Sequence, residues 1–229
     1  MIAMDRKYKY ILFDADNTLF DFNLSEQKAL NATFMEFGIE LSAEQNEVYH
    51  GINDALWKKL ERGETTRDKL KVQRFAEFVD YLGAELDPAE LAKRYVLNLS
   101  EQSYLIDGAY ELCEELSEKY PLYIITNGIT FIQKKRFAKS PISVFFEGIF
   151  ISEEMGHTKP EAAYFQTAAK AIGEDDPSSY LVIGDSLTSD IAGAVNFGCD
   201  SIWIAPDGAK DARPTYTVRE LSEIRSILL

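Results

Sequence analysis

Apolar residues along the chain fall into two kinds of run. Short stretches rich in β-branched and aromatic side chains, bounded by polar residues or glycine, occupy residues 8–13, 122–125, 149–151, 180–183 and 201–204. Continuous apolarity over so few residues predicts strands buried on both faces. From the second onward they are separated by helical patterns over 130–138, 160–172 and 188–197, the last stopped by Gly198. This alternation predicts an α/β fold with a doubly wound, mostly parallel sheet. A final helix is predicted over 218–229, opened by Thr217 with Glu220 three positions on, the spacing of a capping box.

More than a hundred residues separate the first strand from the second, and helix-start chemistry replaces strand signal there. Asn23 with Glu26, Ser42 with Gln45, and Asp87 followed by Pro88 and Glu90 place side-chain oxygens where the unpaired N–H groups of a first turn need an acceptor. Gly38, Gly63 and Gly83 supply matching stops. Apolar residues recur between these limits at helical spacing, as in Leu30, Phe34 and Phe37 or Val48, Ile52, Leu56 and Leu60. The pattern predicts four helices around a common apolar centre, a bundle over residues 22–104 inserted into an α/β unit made of residues 1–21 and 105–229.

The chain has 229 residues, 46% of them hydrophobic, enough to bury a core without disulfides or a structural metal. Its 24 Lys and Arg against 38 Asp and Glu give a net charge of −14, which disfavours polynucleotides and anionic membrane surfaces as partners. A small anionic substrate remains admissible beside a local cation. Cys113 and Cys199 lack metal-ligand spacing and sit among apolar neighbours, as suits a reducing compartment. No run reaches the length of a membrane span, and the first residues, with Asp5, Arg6, Lys7 and Lys9, lack the apolar stretch of a secretory leader. A cytoplasmic location is expected, with the chain a monomer or homodimer.

Candidate chemistry gathers at the carboxyl ends of the predicted strands, where open α/β sheets bind ligands. The first strand ends in Asp14-Ala15-Asp16-Asn17-Thr18. Carboxylates at the end of a buried strand cost desolvation free energy unless a cation meets them, the alternative being a turn with acidic caps. The second runs into Thr126-Asn127-Gly128, a hydroxyl and backbone N–H groups where an anion can dock. The third is followed by Gly156-His157-Thr158-Lys159-Pro160, with Lys159 at a helix entry and Pro160 suited to the first helical position. The fourth ends in Gly184-Asp185-Ser186, with Asp190 five residues after Asp185. Asp14, Asp16, Asp185 and Asp190 together with a phosphate dianion would crowd about six negative charges into one cleft. Lys159 alone cannot offset them, so a divalent cation is required, and hard oxygen ligands with a phosphate favour Mg²⁺.

This ordered set resembles the four motifs of the haloacid dehalogenase superfamily over essentially the whole chain: Asp14-x-Asp16-x-Thr18, Thr126, Lys159, and Asp185 with Asp190. The resemblance implies a Rossmann-like five-stranded core in the order 5-4-1-2-3, and makes the inserted bundle similar to the helical cap of that superfamily's first cap class (C1). Within the superfamily, the tracts 13–21, Leu56-Trp57, 124–128 and Ile151-Ser152-Glu153-Glu154 look like the pyrimidine 5′-nucleotidase branch. The resemblance further implies that the Asp14 carboxylate, the Asp16 main-chain carbonyl and Asp185 ligate Mg²⁺, with Asp190 in the outer shell or positioning Lys159.

On that reading Asp14 attacks phosphorus to give an aspartyl-phosphate, and Asp16 protonates the leaving alkoxide and later takes a proton from water. Thr126, N–H groups near Asn127, and Lys159 bind the phosphoryl oxygens, while Thr18 fixes the loop. His157 either aids phosphate binding or holds its own loop, and His50 is a packing or surface residue of a cap helix. Lys134-Lys135-Arg136 reads as a solvated helix face, with anion capture as the alternative. Phe20, Phe22, Asn53 and Trp57 offer aromatic faces and an amide to a nucleobase, or else belong to a core. The cap is where specificity is expected to reside.

The expected function is Mg²⁺-dependent hydrolysis of a small phosphorylated metabolite, either a nucleoside 5′-monophosphate or a broader range that includes sugar phosphates. Phosphomutase chemistry shares every motif. Hydrolysis of a 2-haloacid has no alkoxide to protonate, and the resembling dehalogenases lack an acid at the place of Asp16. A phosphate-binding regulatory module would keep the fold without turnover, but all four acidic positions and Lys159 are present.

Overall fold

The computed structural model describes residues 7–205 and 207–229; Asp5 and Arg6, considered for a leader, lie outside them. The described residues divide into two compact units, one running to Asp21 and resuming at Tyr104, the other comprising Phe22–Ser103. Along the chain come β1 (Tyr10–Asp14), then α1 (Phe22–Met35), α2 (Ala43–Glu61), α3 (Arg67–Leu82) and α4 (Pro88–Ser100) of the second unit. The first unit continues with α5 (Ala109–Ser117), β2 (Leu122–Thr126), α6 (Thr130–Lys139), β3 (Phe146–Ile151), α7 (Ser152–Met155) and α8 (Ala162–Ile172). It closes with β4 (Tyr180–Gly184), α9 (Ala192–Phe197), β5 (Asp200–Ile204), β6 (Tyr216–Val218) and α10 (Arg225–Leu228). No helix of the described residues is long and apolar enough to cross a membrane.

The strands form one parallel sheet in the order β3-β2-β1-β4-β5-β6. The five expected strands stand in the expected order, and a sixth corrects the count. Tyr216–Val218 pairs with β5 through Ile202, Trp203 and Ile204, so Thr217 lies within a strand and opens no helix. Aromatic and β-branched residues suit that edge position, and the short helical segment that follows begins at Leu221 without a side-chain cap. Three other helix starts differ. Asn23 lies inside α1, because Phe22 is already helical. Pro160 precedes α8, because Glu161 is extended (φ −60°, ψ 130°). The pattern over 188–197 is split into a π-helical turn, Leu187–Ile191, and α9.

Successive residues of β1 feed opposite layers, as strand geometry requires. Ile11 and Phe13 pack with Ile124 and Ile183 against Leu112 and Leu116 of α5. Leu12 packs with Ile125 and Val182 against Tyr164 and Phe165 of α8 and Phe197 of α9. A sheet covered on both faces leaves no polar side, hence the continuous apolar runs. Register then positions the chemistry. Asp14 lies opposite Ile125 and Phe13 opposite Ile183, which sets Thr126 and Asp185 each just past the level of Asp14. With β2 on one side of β1 and β4 on the other, the chain reverses its direction of travel at β1, the place where open α/β sheets bind ligands beyond the strand ends.

In the second unit Ser42 and Gln45 form the capping box, Ser42 Oγ accepting from Gln45 N at 3.2 Å and Gln45 Oε1 from Ser42 N at 2.8 Å. Asp87 caps α4 through Ala89 N at 2.9 Å, and Gly83 ends α3 in the left-handed region at φ +61°. The core is aromatic: Phe34, Tyr49, Phe75, Phe78 and Tyr95 are buried, with neighbouring ring centroids 5.3 to 5.7 Å apart. A polar chain runs beside it. Asn53 donates to Glu26 Oε1 at 2.7 Å and accepts from Arg74 Nη1 at 3.1 Å, and the guanidinium lies 4.6 Å from the Tyr95 ring centroid. His50, half exposed, meets Glu26 Oε2 at 2.6 Å, and that contact raises the imidazole above its ordinary pKa. Glu26, Asn53 and Arg74 are all buried, so each depends on the others for hydrogen bonds. Asn53→Ala would leave a buried carboxylate and guanidinium short of partners, and a loss of about 2–3 kcal/mol is expected in urea unfolding.

Candidate active site

After β1 the chain turns tightly. Leu19 and Phe20 both donate to the Ala15 carbonyl, at 3.0 and 2.9 Å, and Asn17 reaches the Phe20 carbonyl at 2.7 Å. Asn17 has φ +61°, a conformation that asparagine tolerates better than most side chains. The turn keeps Asp14 buried at the strand end and leaves Asp16 half-buried two residues on.

Lys159 Nζ lies 2.5 Å from Asp14 Oδ1, 2.7 Å from Asp190 Oδ1 and 3.2 Å from the Ile125 carbonyl. All three ammonium hydrogens are thereby engaged, and none is left over for a phosphoryl oxygen in this arrangement. The lysine main chain is gripped too. Asn127 Oδ1 accepts from Lys159 N and Asn127 Nδ2 donates to the Lys159 carbonyl, both at 2.9 Å. The sequence points to N–H groups near Asn127 as anion donors; its side chain has a different task, clamping the Lys159 loop. Asp190 reaches the ammonium because Gly184 is bare: a Cβ there would lie 2.3 Å from Asp190 Oδ2, which also accepts from Ser186 N at 3.1 Å. Asp185 is anchored through its carbonyl, which accepts from Trp203 Nε1 at 2.8 Å.

The carboxylates of Asp14, Asp185 and Asp190 offer oxygens within 4.8 Å of one another. Burial drives Asp14 well above the usual carboxylate range, Asp190 and Asp185 adding to it against the pull of Lys159. Burial, reinforced by Asp190, pushes Asp185 up to about 7. Burial also opposes the Lys159 charge, yet Asp14 and Asp190 outweigh it and hold the ammonium above its ordinary value. Three carboxylates around one ammonium are short of positive charge, and the donor set is all oxygen, which fits a hard dication. Asp190 meets Lys159 and Ser186 with its two oxygens, whereas the Asp14 and Asp185 carboxylates each have an oxygen that could hold such an ion.

On the other side of Asp14, Thr126 N donates to the Tyr164 hydroxyl at 3.0 Å, which donates to the Phe150 carbonyl at 2.7 Å. Thr126 Oγ1 accepts from Gly128 N at 3.0 Å and from Gln133 Nε2 at 3.1 Å. Gln133 Nε2 also donates to Asp16 Oδ2, and Arg136 Nη1 donates to Asp16 Oδ1, both at 2.5 Å. Arg136 is fully buried, its guanidinium 5.0 Å from the Phe20 ring centroid. This corrects the reading of 134–136 as a solvated face. Lys134 does face outward and pairs with Glu154, but Arg136 lies three residues after Gln133 and shares its inner side. Sequence reasoning missed Gln133 altogether; the signal available was that three-residue spacing of polar groups just after Thr126-Asn127-Gly128.

The remaining candidates disperse. Phe20 is buried in the sheet's core against Arg136 and presents no face to a nucleobase. Asn53 has both ends of its amide engaged inside the second unit. Trp57 and Phe22 are half-buried on α2 and α1. His157 is half-buried and meets Glu161 at 3.2 Å, a contact within its own loop. The Thr18 hydroxyl is buried without a hydrogen-bond partner among the described residues, so Thr18 contributes packing to its loop.

A family model described as haloacid dehalogenase-like hydrolase matches residues 8–198. The chain is 37% identical over 225 residues to pyrimidine 5′-nucleotidase PynA of Streptococcus pneumoniae, covering 96% of this chain and 95% of that protein. It is 31% identical over 228 residues to pyrimidine 5′-nucleotidase YjjG of Escherichia coli, covering 97% and 98%. A magnesium-bound crystal structure of YfnB from Bacillus subtilis, 38% identical, matches with a TM-score of 0.91 over 97% of this chain and 99% of that one.

Asp185 generates a pH dependence. A carboxyl group whose pKa is raised in the folded state favours folding while protonated; that contribution is present below the unfolded value of about 4 and is lost as pH rises through about 7. The melting temperature of metal-free protein is therefore expected to fall between about pH 5 and about pH 8, and the increase on adding MgCl₂ to grow over the same span. Thermal melts at the two pH values, with and without magnesium, check both.

Proposed function

The chain belongs to the haloacid dehalogenase-like hydrolases, and we propose that it is a Mg²⁺-dependent phosphomonoester hydrolase acting on nucleoside 5′-monophosphates, pyrimidine nucleotides foremost. The observation that carries this reading is Asp16. Its carboxylate stands two residues after Asp14, outside the Lys159 cluster and tethered to Arg136 and Gln133. A phosphate ester needs such a group to protonate its alkoxide, whereas cleavage of a carbon–halogen bond does not. Support for a nucleotide comes from two 5′-nucleotidases that align with the chain across more than nine-tenths of every length.

In this mechanism an Asp14 carboxylate oxygen attacks phosphorus; the aspartyl O–P bond forms as the ester P–O bond breaks, and Asp16 delivers its proton to the departing 5′-oxygen. Thr126, and Lys159 after exchanging its Asp14 contact, hold the phosphoryl oxygens. Water then attacks phosphorus, Asp16 takes its proton, and the aspartyl–phosphorus bond breaks to release inorganic phosphate. The carboxylates of Asp14 and Asp185 with the Asp16 main-chain carbonyl would hold Mg²⁺, which when bound supplies positive charge between the anionic nucleophile and the phosphate dianion.

Uridine 5′-monophosphate is expected to release inorganic phosphate in a reaction abolished by EDTA and restored by Mg²⁺, with Asp14→Asn lowering kcat at least about a thousandfold. A kcat/KM ranking that sets pyrimidine nucleoside monophosphates about tenfold or more above sugar phosphates sustains the nucleotide assignment. A flat ranking replaces it with a broad metabolite phosphatase.

A further inference from the structure

Gln133 and Arg136 lie outside the four motifs, yet both reach Asp16. We propose that they are positioning residues of the active site. Gln133 ties the acid–base side chain of Asp16 to the phosphate-binding hydroxyl of Thr126, and Arg136 braces Asp16 from the other side. The proposal rests on the roles given above to Asp16 and Thr126.

The donor inventory carries the argument. In the ionised form Asp16 only accepts, so the nitrogen end of the Gln133 amide faces Asp16 Oδ2, and the same nitrogen reaches Thr126 Oγ1. Both amide hydrogens are then used. Thr126 Oγ1 already accepts from Gly128 N, so with the Gln133 bond its two acceptor sites are filled and its single hydrogen is left to donate to an anion. One side chain therefore fixes a hydroxyl as a donor and holds one oxygen of the acid–base residue, while Arg136 Nη1 holds the other. The chain makes room for this. A Cβ on Gly128 would lie 2.2 Å from Gln133 Nε2 and under 3 Å from its Cγ and Cδ. Gly128 has no left-handed φ to explain it, so the close approach of the Gln133 side chain is the structural demand on that position.

A purely structural role, pinning α6 to the loop after β1, predicts a different response from substitution, and the leaving group separates the two. kcat/KM reports steps up to departure of the leaving group. The aryl oxide of p-nitrophenyl phosphate leaves without a proton, whereas the alkoxide of uridine 5′-monophosphate needs one from Asp16. Gln133→Met, Arg136→Met and Gly128→Ala are compared with wild type on both esters, with Asp16→Asn as the reference for complete loss of the acid. Gln133→Met is expected to lower kcat/KM on the nucleotide about tenfold more than on the aryl ester, in the same sense as Asp16→Asn, and to weaken inhibition by inorganic phosphate several-fold. Gly128→Ala leaves every polar group in place but evicts the amide, and it is expected to reproduce both changes. Equal losses on the two esters for Gln133→Met and Gly128→Ala, or no loss on either, would overturn the proposal. Wild-type protein inactive on both esters would remove the phosphatase reading, and the proposal with it.

Discussion

An ammonium group packed among buried carboxylates holds its place only while its hydrogens are engaged and its charge is met, and in this chain Lys159 imposes that condition on separate stretches of sequence. Asp14 comes from the end of β1, Asp190 from the turn after β4, and the third acceptor is a carbonyl of β2. Asn127 returns the grip by pairing both ends of its amide with the lysine main chain. Bare backbone at Gly184 admits Asp190, and bare backbone at Gly193 lets α9 approach Phe165, where a Cβ would fall 2.4 Å from the ring. Loss of the ammonium would leave Asp14 and Asp190 facing each other with their desolvation uncompensated, so the sheet ends and the loops beyond them are committed to one arrangement by one charge.

The order of the chemistry was legible because parallel register turns sequence position into place. Asp14, Thr126 and Asp185 each close an apolar run, and runs buried on both faces must lie side by side. What escaped the sequence was decided by side-chain reach and by competition for surface. Arg136 looked solvated inside a run of three basic residues, since nothing local states that Asp16 lies opposite it. Gln133 carried no charge to draw notice. Tyr216–Val218 could read as a strand or as the entry to a helix, and pairing with β5 settled it. Asn53 looked available to a ligand until Glu26 and Arg74, on two other helices, took both ends of its amide.

The two units solve the problem of buried charge differently. In the sheet unit the excess of carboxylate over ammonium is left standing, which raises Asp14 and Asp185 and makes a place for a cation. In the helical unit an amide links a buried carboxylate to a buried guanidinium beside an aromatic core, so that three helices share one polar chain. Unmet carboxylate charge marks the candidate site, and opposite charges joined through an amide mark the helical core.

Trp203 adds a property of another kind. Its indole N–H is bound to the carbonyl of the residue whose carboxylate faces Asp14, and the chain has only one other tryptophan, Trp57 on α2. With that second indole replaced, emission excited at the red edge, where tyrosine does not absorb, would come from a single ring wired to the backbone of Asp185. The molecule thus contains its own optical gauge, able to follow events at the strand ends in real time without any attached dye.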